Sequence, residues 1–168
     1  MTTKHTIDRV PKGSTELALV ASRMRDTLIE VLGEEAGANM YSLDWLLDRA
    51  SSHVDGRLRG AIYVVRRDSE PGNVGHIVVR KEADDQGNFG LVSTIYVLPE
   101  LRHTGIATTL LEVAHGWFRE QGLTRTATDT SETNRPLIGL FERHGYVTVF
   151  HSPEKRMVRL NRDATSAV

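Results

Sequence analysis

The sequence predicts a mixed α/β or α+β fold, in which a mostly antiparallel sheet of about seven strands is flanked by about four helices. Apolar residues recur at helical spacing in the first third of the chain, and three β-branched segments on short turns follow. Helical and strand patterns then alternate to the end. Since 168 residues suffice to bury one core, we expect a single domain over residues 1–162 and a disordered tail at 163–168.

The composition excludes several classes of protein. A net charge of −1 gives little support to a nucleic-acid partner, including an aminoacyl-tRNA acceptor. The absence of cysteine excludes disulfides, thiolate metal sites and a cysteine-linked acyl-enzyme. The seven histidines show no HExxH spacing, so no metal is expected. Neither a secretion signal nor a membrane-spanning apolar run is evident, and we expect a cytoplasmic protein without a membrane partner.

The first third of the chain is mostly helical in its pattern. Residues 4–10 form a weak strand candidate, and Ser14 can cap the helix that follows. Gly33 and Gly37 are expected to end that helix, and a shorter helix is predicted at 42–53. The apolar face of the longer helix comprises Leu17, Val20, Met24, Leu28, Val31 and Leu32.

The middle of the chain predicts three strands at residues 58–66, 74–81 and 89–97. The turns at 68–73 and 84–88 are rich in Asp, Asn, Gly and Pro, which favour chain reversal. Short turns between successive strands are typical of an antiparallel meander.

The last third of the chain predicts a helix at 106–122, a strand at 124–130 and a second helix at 134–144. Pro136 lies near the start of that second helix, where its missing N–H is least costly. Two further strands, at 146–151 and 155–160, complete the expected sheet.

The loop between the third meander strand and the next helix has the chemistry of a phosphate-binding site. The first turn of a helix carries unpaired backbone N–H groups and a partial positive charge, which together bind anions. Gly105 and Ala107 are small enough for a phosphate to approach the backbone, and Arg102 adds a fixed charge. The loop matches neither a Walker motif nor a GxGxxG fingerprint, so a diphosphate of another kind is favoured.

In this loop the chain resembles the GNAT superfamily of acyl-CoA-dependent N-acyltransferases. The family motif is Arg or Gln, two residues, Gly, one residue, and Gly or Ala, after a strand that ends in valine. Arg102, Gly105 and Ala107 match the motif, and Val97 lies at the expected place upstream. The order of predicted elements also agrees over nearly the whole chain.

A second block of residues is similar to the same family. Asn134 is followed by the aliphatic–aromatic pair Leu140-Phe141 and then by Gly145-Tyr146. The resemblance implies that acetyl-CoA is the co-substrate and wedges between two diverging strands, here those at 89–97 and 124–130. The residues predicted to contact it are Ile95, Val97, Leu98, Arg102, His103, Thr104, Gly105, Ile106, Ala107, Asn134 and Phe141.

The resemblance implies N-acetyl transfer to a primary amine by direct attack in a ternary complex. An alkylamine titrates at ~10, so a base must first deprotonate it, and Asp129 is the predicted base. Leu91 stands where other members have a glutamate. Phe141 stands where many members have a proton-donating tyrosine, so the general acid is left open.

The sequence does not name the acceptor, but it slightly favours a small-molecule amine over a protein. In the family, the first two helices and the loop between them, here 33–41, shape the acceptor site, and Trp45, His76 or His151 could contribute. A homodimer is compatible with the sequence. The alternative function is a catalytically inactive acetyl-CoA-binding regulatory module, for which Phe141 is the main support.

Overall fold

The computed structural model describes residues 4–68 and 70–164, and within them the chain forms seven strands and five α-helices. The strands are β1 (His5–Arg9), β2 (Gly60–Arg67), β3 (Asn73–Asp84), β4 (Gly87–Val97), β5 (Arg125–Ser131), β6 (Val147–Ser152) and β7 (Met157–Asp163). The helices are α1 (Glu16–Leu32), α2 (Glu34–Met40), α3 (Leu43–Ser52), α4 (Ile106–Glu120) and α5 (Arg135–Arg143).

The strands form one sheet in the order β1-β2-β3-β4-β5-β7-β6. The β4–β5 pair is parallel, and the other strand pairs of the described residues are antiparallel. The predicted meander is therefore confirmed as β2-β3-β4, and the predicted mixed, mostly antiparallel sheet is confirmed as a whole. The parallel pair divides the sheet near its middle, which matters for the site described below.

The helices cover both faces of the sheet. The larger core lies between α4 and the side chains of β2, β3 and β4 that point toward it, and it includes Leu110, Leu111, Phe118 and Phe141, each at most 1% exposed. The smaller core lies on the opposite face, where α1 and α3 pack against Ile62, Val64 and Val78. The strands alternate between these two cores because successive side chains point to opposite faces.

Helix α2 differs from the expectation that Gly33 and Gly37 both end the first helical segment. Gly33 does end α1, with φ at 94° and its N–H bonded to the Ile29 carbonyl at 2.9 Å. Gly37 instead lies inside α2, where a Cβ would sit 2.4 Å from the Ile29 Cα. The glycine thus allows close contact between α1 and α2.

None of the helices in the described ranges is long and apolar enough to cross a membrane.

The predicted disordered tail is wrong at its first residue. Asp163 ends β7 and pairs with Arg125 in the sheet, and the Ala164 N–H then bonds to the Thr124 carbonyl at 2.8 Å. Strand pairing with β5 therefore continues past residue 162. The remainder of the predicted tail, residues 165–168, lies outside the described residues.

Gly37→Ala is expected to destabilise the fold by about 1–3 kcal/mol, because the added methyl group forces the α1 and α2 backbones apart. Urea denaturation measures this change. Gly116→Ala in α4 is the matched control, since the nearest atom to its Cβ is Arg119 Nη2 at 3.7 Å. The control should gain up to about 1 kcal/mol. Equal stability of the two variants would contradict the close-contact role of Gly37.

Candidate active site

A gap opens in the sheet where β4 and β5 diverge. The two strands pair only from Gly90 to Val92 on β4, although β4 continues to Val97 and β5 to Ser131. A bulge at Ser93 bends β4 at the same point, because the register with β3 shifts between Val78 and Val79. The Thr128 hydroxyl donates to the Val92 carbonyl at 2.9 Å and closes the paired end. The structure therefore contains the strand divergence predicted from the sequence.

The loop between β4 and α4 presents backbone donors to this gap. His103 and Gly105 both have positive φ, 65° and 91°, on either side of Thr104. Within the described ranges, the N–H groups of residues 103–108 donate no hydrogen bond to another group of the chain. A Cβ on Gly105 would meet no atom within 4 Å, so open space lies beside that backbone. Free N–H groups with room around them suit an anion.

A cleft of about 510 Å³ joins the gap to the loop. It is lined on the α1 side by Thr27 and Glu30, and on the α5 side by Pro136 and Leu137. The predicted site residues that also line it are Ile95, Val97, Arg102, His103, Gly105, Ala107 and Asn134. The structure thus brings the two sequence blocks together around one concave surface.

Arg102 lies on the cleft, but its guanidinium is held by the protein. Its Nε donates to the Val97 carbonyl at 2.9 Å, and its Nη1 donates to both carboxylate oxygens of Glu30 at 2.9 Å. The pair joins α1 to the loop between β4 and α4 across 72 positions of the sequence. Glu30 was not predicted, because a partner so distant in sequence leaves no local signal.

Asn134 both caps a helix and lines the cleft. Its Oδ1 accepts from the Leu137 N–H at 3.4 Å, and its Nδ2 donates to the Thr130 hydroxyl at 3.2 Å. Thr130 is near the end of β5, so Asn134 fixes the start of α5 to the diverging strand. Its predicted contact with a ligand stays a prediction.

The structure corrects the prediction that Phe141 contacts the co-substrate. Its side chain is fully buried and packs edge-on against Tyr146, with ring centroids 4.8 Å apart. It therefore belongs to the core rather than to the cleft surface. Ile106 is also a core residue, at 4% exposure, and Leu98 and Thr104 do not line the cleft with their neighbours. The backbone of Leu98, Thr104 and Ile106 nevertheless lies in or next to the loop between β4 and α4.

Asp129 lies outside the cleft lining and is paired with a cation. Arg159 donates from Nε and Nη2 to its two carboxylate oxygens at 2.6 and 2.7 Å. This pairing raises the pKa of Arg159. On β5, Thr126 reaches Tyr146 on the α4 side, so strand alternation puts Asp129 on the opposite face. Its role as a base stays a prediction.

The other residues considered for the acceptor pocket lie apart from the cleft. Trp45 is exposed and stacks on Tyr41 with ring centroids 4.3 Å apart. His151 lies on the edge strand β6, where its Nε2 is 2.6 Å from the Glu132 carboxylate. His76 is fully buried, and residues 34–40 of the expected acceptor loop form α2. Helix α1, rather than these groups, forms the second wall of the cleft.

Tyr96 is a cleft residue to which the sequence analysis gave no role. It lines the cleft on β4 between Ile95 and Val97, with its ring turned toward α1. The ring stacks on His76 at 5.9 Å between centroids. Burial and the charge of Arg23 lower the pKa of His76 to about 3, so this histidine is neutral near pH 7.

The comparisons with known proteins agree with this fold. The chain is 30% identical over 80 residues to an aminoglycoside N(6')-acetyltransferase type 1 from Klebsiella aerogenes, in an alignment covering 46% of this chain and 53% of that protein. The chain thus spans about half the length of this curated relative.

Solved structures of similar fold cover most of the chain. The PaiA N-acetyltransferase of Thermoplasma acidophilum, in complex with coenzyme A, matches with a TM-score of 0.75 and 15% identity, covering 95% of this chain and 99% of that one. The aminoglycoside N-acetyltransferase AAC(6')-Iy, also with CoA, matches with a TM-score of 0.68 and 18% identity, covering 91% and 97%. At these identities the likeness shows the fold alone.

The family comparison covers both sequence blocks of the site. The model of the Acetyltransferase (GNAT) family matches residues 21–146, a range that runs from α1 through the loop between β4 and α4 to the residue before β6. The chain therefore belongs to the GNAT family of acetyltransferases.

Proposed function

We propose that this protein transfers an acetyl group from acetyl-CoA to a primary amine of a small molecule, by direct attack in a ternary complex. The observation that carries the proposal is the set of free N–H groups at residues 103–108 beside the gap between β4 and β5. Membership of the GNAT family supports the reaction class.

The residues of the cleft fit the parts of coenzyme A. The N–H groups of residues 103–108, with the open space at Gly105, would hold the diphosphate. The unpaired edge of β4 beyond Val92 would bond the amides of the pantetheine arm, as a neighbouring strand would. When bound, acetyl-CoA supplies an acyl group activated as a thioester. The chain itself must hold this group, orient the amine and move protons.

A small-molecule acceptor is supported by the relative from Klebsiella aerogenes, whose name states that it acetylates aminoglycosides. A protein amine is the second acceptor class to test. We further propose that the protein works in the cytoplasm.

The alternative function is a regulatory module that binds acetyl-CoA without turnover. The core position of Phe141 and the ion pair of Asp129 favour it, because neither residue offers a ready proton donor or acceptor. Calorimetry with acetyl-CoA, followed by a thiol-release assay on a panel of aminoglycosides, polyamines and peptides, separates the hypotheses. Binding with turnover supports the enzyme. Binding without turnover on any amine supports the module, and no binding contradicts both.

Asp129→Asn is expected to lower kcat, with the largest loss at low pH, where the amine is most fully protonated and the base is needed most. The pair with Arg159 must open for either oxygen of Asp129 to accept a proton. A pH–rate profile of the variant measures the effect. Asp84→Asn, which disrupts a similar carboxylate–arginine pair with Arg125 at the β3–β4 turn, is the control. A profile identical to wild type would remove Asp129 from the mechanism.

A further inference from the structure

Among the described residues, Tyr96 is the tyrosine that lines the cleft. Tyr41 lies on the exposed junction of α2 and α3, and Tyr63 lies on β2. Tyr146 is buried, with its hydroxyl bonded to His115 Nε2 at 2.8 Å and to the Thr126 hydroxyl at 2.9 Å. Phe141 occupies the place where a proton-donating tyrosine was sought, so Tyr96 is the phenol available to the cleft.

The hydroxyl of Tyr96 is free to act on a ligand. Burial and nearby charges act on this hydroxyl, and it forms no hydrogen bond within the described part of the chain. Both ring nitrogens of the adjacent His76 are sealed from solvent and have no hydrogen-bond partner. The Tyr96 hydroxyl is not sealed in this way. Burial raises the pKa of Tyr96 above its ordinary value of 10, so near pH 7 it carries a proton that it can donate.

Two guanidinium groups flank the Tyr96 ring. The Cζ of Arg23 is 5.2 Å from the ring centroid, and the Cζ of Arg102 is 5.6 Å from it. Asp26 and Glu30 act on the phenol in the opposite sense, and the adjacent His76 is neutral. Glu30 already pairs with Arg102 and offsets part of its charge. Arg23 therefore has the larger electrostatic effect on the Tyr96 phenol.

Arg23 is buried in an arrangement that needs an explanation. It is 8% exposed and donates to the side-chain and backbone oxygens of Asn73, and no carboxylate of the described residues lies within ion-pair distance of it. A buried cation without a carboxylate in contact is costly, and here Asp26, Glu100 and Glu16 act on it only from a greater distance. Desolvation accordingly lowers the pKa of Arg23. A negative charge formed on Tyr96 during the reaction would offset that cost.

We propose that Tyr96 is the general acid of the acetyl transfer, a role that rests on the proposed function. The amine nitrogen bonds to the acetyl carbon, the bond from that carbon to sulfur breaks, and the sulfur takes the phenolic proton. The phenolate, stabilised by Arg23 and Arg102, regains a proton from the former ammonium group through the base and water. The net products are the amide and the free thiol, and a proton is released when the amine enters protonated.

Kinetics of Tyr96→Phe test this role. The variant keeps the ring packing on His76 and loses only the proton donor, so kcat should fall at least ~10-fold while the acetyl-CoA dissociation constant stays near the wild-type value. The alkaline limb of the kcat profile should also disappear in the variant. Tyr63→Phe is the matched control and should leave kcat and its pH profile unchanged. Wild-type kcat in Tyr96→Phe would overturn the assignment.

A binding experiment tests the same contact without turnover. In protein labelled with ¹³C at tyrosine Cζ, the Tyr96 signal is the one that the Tyr96→Phe variant lacks. Coenzyme A should shift this signal, and desulfo-coenzyme A, which lacks the sulfur, should shift it much less. Equal shifts with the two ligands would overturn the proposal whether or not an amine is acetylated. A sulfur-dependent shift without turnover would uphold the contact and count against the proposed enzyme.

Discussion

Replacing Gly105 with tryptophan is expected to weaken acetyl-CoA binding by ~100-fold or more. The backbone at Gly105 has a φ of 91°, and its missing side chain leaves open space next to free N–H groups. An indole there would occupy the volume proposed for the diphosphate. Loss of two charge-assisted hydrogen bonds costs about 3 kcal/mol or more, which corresponds to that ~100-fold change.

Isothermal calorimetry measures the loss of acetyl-CoA affinity. A control is needed to separate this loss from the strain that any side chain causes at a positive φ. Gly87→Trp is the matched control, because Gly87 has a φ of 111° and open space around its missing Cβ. It lies at the β3–β4 turn, at the other end of β4 from the loop. Both variants should lose stability, but only Gly105→Trp should lose affinity. Wild-type affinity in Gly105→Trp would contradict the proposed cofactor site.

Local pattern was sufficient to predict most of the fold and the position of the loop. The meander and the α4 helix have clear periodicity, so their limits were predicted to within a few residues. The helix at residues 34–40 was not predicted, because a glycine such as Gly37 usually interrupts a helix. Here a glycine is required inside the helix, because the Gly37 backbone packs directly against Ile29, which is eight positions earlier and on a different helix. Such a contact exists only once α1 and α2 are packed together.

The parts of the site that were missed depend on pairing between distant segments. Glu30 reaches Arg102 because α1 crosses the end of β4, and no spacing within either segment indicates this contact. The environment of Tyr96 requires both the register that pairs it with His76 and the placement of Arg23 on α1. The sequence gave Tyr96 no role, because the arginines beside its ring come from α1 and from the loop after β4.

The stability of the protein is expected to fall steeply below about pH 6.5, because three histidines are buried in the uncharged form. Burial lowers the pKa of His53 and His115 to about 4 and that of His76 to about 3, from an ordinary value of 6.5. Neighbouring arginines add to the shift in each case. His115 accepts from Arg162 at 3.0 Å, and His53 Nε2 lies 3.2 Å from Arg80, so both imidazoles are fixed as neutral acceptors.

The sign of the effect follows from where the protons bind. Above about pH 6.5 each of these histidines is neutral in the folded and the unfolded chain, so none contributes a pH dependence. Below that value the unfolded chain takes up a proton at each histidine, while the folded chain resists until its own pKa near 3 or 4. Stability is therefore lost progressively between about pH 6.5 and about pH 4.

The size of the loss is large for a domain of this length. Each histidine contributes about 1.4 kcal/mol per pH unit in that window, and the three together contribute roughly 4 kcal/mol per unit near pH 5. By about pH 4 the accumulated loss is roughly 9 kcal/mol, which is most or all of the ~5–15 kcal/mol by which domains are typically stable. Burial opposes but does not cancel the lowering of the Glu16 pKa by Arg66 and Asn73, and hydrogen bonds from His151 and Arg156 lower the pKa of Glu132. Both carboxylates lose stabilising charge at still lower pH and act in the same direction.

Urea denaturation monitored by circular dichroism, repeated at intervals from about pH 7.5 down to about pH 5, measures this slope. His76→Met replaces an unpartnered buried imidazole with an apolar side chain of similar volume, so it should remove about a third of the slope and raise the stability at low pH. His5→Gln, at an exposed position of β1, should leave the slope unchanged. If His76→Met retained the full wild-type slope, protonation of His76 could not be a cause of acid unfolding, and the other two histidines or the paired carboxylates would have to account for it.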